Sequence, residues 1–172
     1  MKIVLLGYSG SGKSTLAKAL AAHYGIPALH LDSLHFLPGW VARPREEERQ
    51  LLGEFLDTHD GWVIDGNYTK LHYERRLEEA DQIIVLCFDR FACLYLVWKR
   101  YRTYRNGTRA DMAPGCPEKL DAAFLRWVLW EGRDRSKRER FRQIAAQYPG
   151  KVVFLKNQRQ LDAFTEGLGD LK

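Results

Sequence analysis

The sequence predicts an α/β fold with a five-stranded, mostly parallel sheet and helices on both faces. Short runs rich in Val, Ile and Leu alternate along the chain with longer stretches whose apolar residues recur at helical spacing. Strands that alternate with helices in this way are typical of a three-layer arrangement with the sheet in the middle. The chain of 172 residues shows no internal repeat and no low-complexity linker, so we expect residues 1–172 to form a single domain.

Five segments are predicted to be the strands of this sheet. They are aliphatic or β-branched runs bounded by Gly, Pro or acidic residues. The strands are expected at 2–6, 28–31, 62–65, 82–88 and 151–155. The helices are expected at about 12–24, 43–60, 71–80, 91–104, 118–147 and from 158, with 33–41 as a loop or short helical excursion.

The first strand runs directly into a glycine-rich loop. Residues 7–15 read GYSGSGKST and fit the pattern G-x-x-x-x-G-K-[ST], with a helical apolar face after them. Glycines let successive backbone N–H groups point into one concavity that holds phosphate oxygens, and the following helix adds positive charge at its N-terminus. Lys13 can place its ammonium between the β- and γ-phosphates, and the Ser14 hydroxyl can ligate Mg²⁺.

This strand–loop–helix context is typical of a P-loop NTPase and predicts that the chain binds ATP or another nucleoside triphosphate together with Mg²⁺. The alternative is an ordinary glycine-rich turn before a helix. The residues predicted to bind the nucleotide are Gly7, Ser9, Gly10, Ser11, Gly12, Lys13, Ser14 and Thr15.

The composition limits which binding partners and which cellular compartment we expect for this chain. The formal net charge of +5 suits a partner that carries phosphate, but it does not choose between a nucleotide and a nucleic acid. No apolar run approaches the length of a membrane span, so we expect no membrane partner and a cytoplasmic protein. Three cysteines without C-x-x-C spacing are typical of reduced thiols rather than of disulfides or a zinc site.

Two predicted strands end at an acidic residue on the same edge of the sheet. Asp32 follows the strand 28–31, and Asp65 closes the strand 62–65. Phosphoryl transfer needs a carboxylate that orients Mg²⁺, and a second carboxylate can accept the proton of the attacking hydroxyl. We therefore assign Asp65 mainly to the metal and Asp32 mainly to the acceptor, although the two roles are exchangeable. The alternatives are an Asp-Gly turn at Asp65 and a helix cap at Asp32.

An acceptor pocket is predicted beside these carboxylates. The residues assigned to it are His35, Trp40, Arg43 and Tyr68. Arg43 would suit an acidic or phosphorylated acceptor, because its guanidinium can bind such groups in a bidentate manner. The alternative is that the aromatic side chains simply cover the edge of the sheet and that the histidine is packed or solvated.

A loop at about 105–117 is predicted to be a lid. It has glycines and prolines towards its ends, and arginines lead into it with no acidic residue before Asp111. We expect Arg105 and Arg109 to close over the phosphates and to neutralise charge on the transferring group. The alternative is a solvated face, which a run of arginines commonly forms.

The stretch from Arg126 to Arg142 is strongly basic. As one long helix it could lie along a nucleic-acid backbone, which would make the chain a DNA-binding ATPase or a nucleotide-gated regulator. No helix-turn-helix or zinc-finger spacing accompanies the charges, and ordinary helices carry such charges on their solvent faces. DNA is therefore the less favoured partner. A third hypothesis is a nucleotide-binding protein without transfer activity.

Several motifs occur in an order that resembles a known family. They are the phosphate loop, LHLD at 29–32, PGW at 38–40, IDGNY at 64–68, RNGTRADM at 105–112 and GCPE at 115–118. Together they resemble, over nearly the whole chain, the bacterial DNA topology modulation protein family, whose members are relatives of adenylate kinase. The resemblance implies a P-loop kinase-like fold with a core sheet and a lid.

The acceptor side departs from the adenylate kinase pattern. Asp65-Gly66 matches the Asp-Gly that adenylate kinases carry after the third strand, but Asn67-Tyr68-Thr69 stands where an arginine that holds the nucleoside monophosphate would follow. Ser33-Leu34-His35 likewise replaces the threonine-glycine-aspartate segment expected after the second strand. We therefore expect an ATP- and Mg²⁺-dependent kinase whose small acceptor, which could be nucleotide-like, the sequence does not identify.

Overall fold

A five-stranded parallel sheet forms the centre of the computed structural model of this protein. The structure describes residues 1–104, 107, 109, 111–118 and 120–169. The strands are β1 (Lys2–Gly7), β2 (Ala28–His30), β3 (Phe36–Leu37), β4 (Val41–Ala42), β5 (Trp62–Asp65), β6 (Gln82–Leu86) and β7 (Val152–Leu155). The central sheet has the order β2-β5-β1-β6-β7 with every pair parallel, so the predicted strands and their direction are confirmed.

Eight α-helices alternate with these strands in the described part of the chain. They are α1 (Lys13–Tyr24), α2 (Leu31–His35), α3 (Arg45–Thr58), α4 (Tyr73–Glu79), α5 (Arg90–Tyr104), α6 (Ala122–Leu129), α7 (Arg135–Gln147) and α8 (Gln158–Gly169). The helices cover both faces of the sheet and bury its two apolar surfaces, which is the predicted three-layer architecture.

The middle of the sheet is the best-buried part of the molecule. Val4 of β1 stands in register with Ile64 on one side and Ile83 on the other, and all three side chains are fully buried. Strands covered on both faces tolerate only apolar side chains, which explains why their sequences are continuous aliphatic runs rather than alternating ones. The register also brings the carboxyl ends of β1 and β5 together, with Leu5 beside Asp65.

The segment expected as a loop or short helical excursion contains both a helix and a hairpin. Helix α2 is followed by a two-stranded antiparallel ribbon in which Phe36 pairs with Ala42 and Leu37 with Val41. Gly39 (φ +79°) and Trp40 (φ +66°) make the turn in the left-handed region of backbone space. The pattern PGW signalled the turn, but two-residue strands are too short to show an alternating pattern.

The expectation of a single long helix over 118–147 is wrong. The chain forms α6, a 3-10 turn at Glu131–Arg133, and then α7. Trp130 leaves helical geometry with φ −134° and ψ −65°, and Asp134 starts α7 as its N-cap by accepting a hydrogen bond of 2.6 Å from Lys137 N. An N-cap carboxylate satisfies a free N–H group at a helix start, which fixes the break at this position.

Two further findings bear on the expectations from composition. Among the helices of the described residues, none combines the length and the apolar character that crossing a membrane requires. Cys87, Cys93 and Cys116 are all free thiols, as the spacing of the cysteines predicts.

Candidate active site

The phosphate loop runs from the end of β1 to the start of α1 and is folded around one carbonyl group. Tyr8 O accepts hydrogen bonds from Ser11 Oγ at 2.8 Å and from Lys13 Nζ at 2.9 Å. Gly10 has φ +78°, and a Cβ atom there would lie 2.5 Å from Val97 Cγ2, so the loop backbone needs glycine to lie this close to α5. The lysine and the helix start therefore stand at the same concave loop, as the motif predicts.

The first residue of this loop is held by an amide side chain from the neighbouring strand. Asn67 Oδ1 accepts from Gly7 N at 3.1 Å, and Asn67 Nδ2 donates to Gly7 O at 2.8 Å. The pair of hydrogen bonds fixes the backbone where β1 turns into the phosphate loop. Sequence reasoning named Asn67 only as a departure from the adenylate kinase pattern and gave it no role.

The two predicted carboxylates lie in different surroundings at this edge of the sheet. Asp65 is buried at the end of β5, where its Oδ2 lies 2.7 Å from His30 Nδ1. Asp32 lies in α2 and is exposed, and its Oδ1 accepts a hydrogen bond of 2.6 Å from Tyr68 OH. The buried carboxylate is thus oriented within the protein, whereas the exposed one faces solvent beside a phenol.

The residues predicted for the acceptor are brought together in one wall. The His35 ring lies 5.2 Å from the Tyr68 ring and 4.5 Å from the Phe36 ring, and Phe36 lies 5.1 Å from Trp40. Arg43 borders this wall, where its Nε donates to Leu34 O at 2.9 Å and its guanidinium forms an ion pair with Glu47.

Arg43 therefore stands beside the wall with its charge already paired within the protein. His35 is likewise engaged, because its Nδ1 contacts the carboxylate of Glu48, a residue that is only 4% exposed. The sequence gave no sign of this buried glutamate, which lies in a run of three acidic residues at the start of α3.

The predicted lid is bound to the rest of the protein by a chain of ion pairs. Asp111 pairs with Lys18 of α1 at 2.6 Å and with Arg109 at 2.5 Å. Glu118 pairs with Arg109 and, at 3.0 Å, with Arg100 of α5. Although burial acts to raise the pKa of Asp111, the hydrogen bond from Lys18 and the charge of Arg109 hold that pKa below its usual value.

Arg109 is thus engaged by two carboxylates in this structure, while Arg105, the other arginine predicted to close over the phosphates, lies outside the described residues. The described part of the lid contacts the β3–β4 hairpin. Gly39 N donates to Gly115 O at 3.1 Å, and the Cys116 thiol lies 3.4 Å from Leu37 O. The described part of the predicted lid therefore stands next to the predicted acceptor wall.

Two residues from the broken helical region reach the phosphate loop, and sequence reasoning missed both. Trp127 Nε1 donates to Ser9 Oγ at 3.0 Å. Lys137 stacks over the Trp127 ring at 5.0 Å, and its Nζ donates to Gly132 O at 2.9 Å. Burial lowers the pKa of Lys137; Asp134 opposes this shift, while the like charge of Lys13 adds to it. A second ammonium group thus stands near the loop lysine.

The basic stretch from Arg126 to Arg142 does not form one continuous face. Arg133 is turned inward, where its guanidinium lies 4.1 Å from the Tyr8 ring and donates to Phe88 O at 2.8 Å. Arg126 pairs with Glu131 at 2.6 Å. The break between α6 and α7 divides the stretch, so the single extended basic helix considered for DNA binding is not formed, while Arg135, Arg138 and Arg142 stay exposed on α7.

A buried guanidinium holds the loop that follows β5. Arg76 is completely buried, and it donates to three main-chain oxygens: Leu71 O at 3.0 Å, Gly66 O at 3.3 Å and Tyr68 O at 2.7 Å. Burial lowers the pKa of Arg76 to about 10. These bonds fix the segment 66–71, which carries Asn67 toward the phosphate loop and Tyr68 toward Asp32.

The donor atoms available for a metal ion are hard oxygens. The Ser14 hydroxyl at the start of α1 and the Asp65 carboxylate at the end of β5 are of the type that Mg²⁺ prefers. Among the described residues, no group of three or more His, Cys, Asp or Glu side chains is arranged to hold a metal ion. Mg²⁺ is usually held by one or two protein oxygens together with substrate phosphates and water, so this donor set fits the ion.

Comparisons of the sequence with known proteins find partial matches, to an ATPase family and to adenylate kinases. The model of the ATPase family associated with various cellular activities (AAA) matches residues 3–64. An adenylate kinase of Mycobacterium leprae (strain Br4923) is 32% identical over 99 residues, which cover 46% of this chain and 51% of that kinase. The chain thus spans about half the length of the curated relatives it matches.

Comparisons of the fold extend over the whole chain. A gluconokinase from Sinorhizobium meliloti 1021 has a TM-score of 0.54 at 18% identity, covering 99% of this chain and 92% of that one. A shikimate kinase from Bacteroides thetaiotaomicron has a TM-score of 0.51 at 17% identity, covering 99% and 97%. The P-loop kinase fold predicted from the sequence is confirmed, and the resemblance to DNA topology modulation proteins stays a prediction.

Proposed function

We propose that this protein is a cytoplasmic kinase that transfers the γ-phosphoryl group of MgATP to a hydroxyl group of a small molecule. The observation that carries the proposal is the position of the Asp32–Tyr68 pair. The segment 66–71 joins that pair to the phosphate loop, since Asn67 holds Gly7 while the adjacent Tyr68 holds Asp32. A carboxylate beside the nucleotide site is what transfer to a hydroxyl group requires and simple nucleotide binding does not.

On the donor side, the backbone of residues 7–15 would hold the phosphate oxygens of ATP. Lys13 Nζ would leave the Tyr8 carbonyl oxygen and donate to the β- and γ-phosphates instead, because hydrogen bonds to charged oxygens are stronger. Lys137 stands near enough to add positive charge to the same region. Arg109 would have to leave its two acidic partners to reach the transferring group. Arg105 would close over the same group from the predicted lid.

Ser14 and Asp65 would hold Mg²⁺, and the bound ion would supply neutralisation of phosphate charge. The contact of Asp65 with His30 keeps its carboxylate oriented at the end of β5. Asp32, which follows β2 in the first turn of α2, is oriented toward the acceptor wall instead. This difference in surroundings supports the assignment of Asp65 to the metal and Asp32 to the acceptor.

In the transfer step, the acceptor hydroxyl oxygen forms a bond to the γ-phosphorus while the bond from that phosphorus to the bridging oxygen breaks. The electron pair of the broken bond stays on ADP, and the hydroxyl proton passes to the carboxylate of Asp32. Tyr68 donates to that carboxylate and keeps it aimed at the acceptor. His35, Trp40 and Arg43 would form the surrounding wall.

The proposal is tested by following γ-labelled ATP with Mg²⁺ and a pool of small metabolites. We expect label on a small molecule with the natural chain and none with Lys13→Ala, because the lysine contacts the transferring group. Lys99→Ala is the matched control, since it removes the same charge from an exposed position of α5. Undiminished transfer by Lys13→Ala would contradict the assignment of the donor site.

A parallel reaction contains duplex DNA in place of the metabolites. The kinase proposal expects DNA to leave the release of phosphate unchanged. Phosphate released only with DNA present would instead favour the DNA-linked ATPase. Tight ATP binding without turnover in either reaction would favour a nucleotide-binding protein without transfer activity.

A further inference from the structure

Helix α5 has two contrasting sides. Its inner side packs on the phosphate loop, where a Cβ atom at Gly10 would lie 2.5 Å from Val97 Cγ2. Its outer side carries three aromatic side chains that are open to solvent, since Phe91 is 71% exposed, Tyr95 58% and Trp98 44%. Residues that are three or four positions apart share one face of a helix, so these three rings form a single aromatic stripe along α5.

The aromatic stripe borders an apolar groove between α5 and the start of α6. The groove has a volume of about 440 Å³ and is lined by Phe91, Leu94, Tyr95, Trp98, Leu120 and Leu125. All of these side chains are aromatic or aliphatic. Contiguous apolar surface of this kind on a water-soluble fold is typical of a site of interaction with another molecule.

The spacing of the aromatic stripe is self-complementary. A two-fold axis that crosses α5 between residues 96 and 97 places two copies of the helix antiparallel, with position 95 of one copy facing position 98 of the other and position 91 facing position 102. Tyr95 then meets Trp98 of the second copy twice, and Arg102 meets Phe91 twice. Arg102 already lies on this side of α5, because its guanidinium is 4.9 Å from the Trp98 ring of its own chain. A symmetric dimer requires a patch that fits itself in this way.

Charge decides the relative direction of the two helices. Arg102 ends the aromatic stripe, so parallel copies of α5 would bring the two Arg102 guanidinium groups together. In the antiparallel pair these groups are separated by about 16 Å along the helix axis, at a rise of 1.5 Å per residue. Each instead lies over an aromatic face of the other chain, and the two helix dipoles oppose one another, so both effects favour the antiparallel pair.

The area of the aromatic stripe suits a reversible dimer. An aromatic side chain buries about 150–250 Å² when it is fully covered, so the exposed fractions of the three rings leave about 350 Å² open on each chain. The smaller specific interfaces bury about 600 Å² on each partner, of which the rings supply more than half. The leucines of the groove and the stem of Arg102 extend this contact. An interface of this size is consistent with dissociation in the micromolar range.

We propose that this protein forms a two-fold symmetric dimer through the outer side of α5, with a second copy of this chain covering the aromatic stripe and the groove. The inference is independent of the proposed function, because the contact requires neither a nucleotide nor an acceptor. Since the inner side of the same helix packs on the phosphate loop, the interface lies one helix away from each nucleotide site.

The test measures the molar mass of the full chain by analytical ultracentrifugation at concentrations from about 1 to about 100 µM, the range in which such an interface dissociates. We expect the mass to rise with concentration from that of one chain to that of two. A mass of one chain over the whole range overturns the inference and leaves the face to a partner of another kind. A mass above that of two chains at saturation also overturns it, since a two-fold contact closes at the dimer.

Two double variants test the face and its pairing. Tyr95→Lys with Trp98→Lys, and Tyr95→Glu with Trp98→Glu, each place like charges opposite one another across the axis, so we expect each variant alone to have the mass of one chain. An equimolar mixture should recover the dimer, because lysine then faces glutamate in both copies of the pair. Trp130→Glu is the matched control, since its indole is 59% exposed but lies outside the aromatic stripe, and we expect the natural mass.

Circular dichroism shows whether each double variant keeps the fold, which we expect because both positions are exposed. Dimers of the double variants as stable as those of the natural chain would place the interface elsewhere and overturn the inference. A mixture of folded variants that stays at the mass of one chain would overturn the pairing of position 95 with position 98.

Discussion

Replacement of Asn67 by Asp tests whether the segment after β5 sets the conformation of the phosphate loop. In the natural chain Asn67 accepts from Gly7 N and donates to Gly7 O at 2.8 Å. The aspartate keeps the acceptor but places a second oxygen where the amide donor met the carbonyl. The change removes one hydrogen bond, worth about 1 kcal/mol, and leaves two oxygens in repulsive contact, which adds about 1–2 kcal/mol.

We therefore expect the free energy of unfolding to fall by about 2–3 kcal/mol in urea, with an unchanged dependence on urea concentration. ATP affinity should fall as well, because a relaxed Gly7 turns fewer loop N–H groups toward phosphate. The matched control is Gln147→Glu, the same amide-to-carboxylate change at an exposed position of α7, where the amide donates to Tyr148 OH at 3.2 Å. Asn67→Asp could lose no more stability than the control and still retain its ATP affinity. That result would refute the role of the two hydrogen bonds between Asn67 and Gly7.

Three further substitutions test other parts of the site. Gly10→Ala should lower the free energy of unfolding, measured in urea, by about 2–4 kcal/mol, because it combines left-handed backbone strain with a Cβ atom 2.5 Å from Val97 Cγ2. An unchanged free energy of unfolding would contradict the close packing of the loop on α5. Arg76→Met should lower the free energy of unfolding by about 3 kcal/mol and raise KM for the acceptor, because three carbonyl oxygens lose their donor. A stable variant with unchanged KM would argue against the role of Arg76 in holding the segment 66–71. Asp111→Asn should destabilise the protein at neutral pH. Because folding lowers the pKa of Asp111, its carboxylate contributes fully to the free energy of unfolding above the ordinary pKa of 3.8, and this contribution is lost as the pH falls through the lowered pKa. The gap in unfolding free energy between the natural chain and this variant should therefore close in acid, and a gap independent of pH would contradict the ion pair with Lys18.

The sequence sufficed for the sheet and for the conformation of the loop at 7–15, because both depend on local patterns. The aliphatic runs and the loop at 7–15 specify strand, turn and helix within a few residues of each other, and the structure has them within one or two residues of the expected positions. The break at Trp130–Asp134 was missed because Gly132 is the one helix-breaking residue in it, and a single glycine is tolerated within a helical pattern. The capping role of Asp134 is evident only against the following helix.

The acceptor side was predictable only in part. The aromatic and acidic residues at 32–43 and 65–68 marked its place, yet its charge depends on pairings between distant segments. Glu48 contacts His35 from another helix, and Arg43 is neutralised by Glu47 one turn away. Pairings of this kind depend on side-chain positions in three dimensions, which no spacing along one chain specifies.

The contact between the segment 111–118 and the β3–β4 hairpin affects how this protein could be re-engineered. Gly115 O is hydrogen-bonded to Gly39 N, and Met112, Ala113 and Cys116 pack with Phe36 and Trp40 as a small cluster separate from the main core. A chimera that grafts only residues 36–42 from another protein of this fold would leave that cluster without its partners. Grafts that exchange residues 36–42 and 111–118 as a matched pair should preserve these contacts, so the two segments form a single exchangeable module.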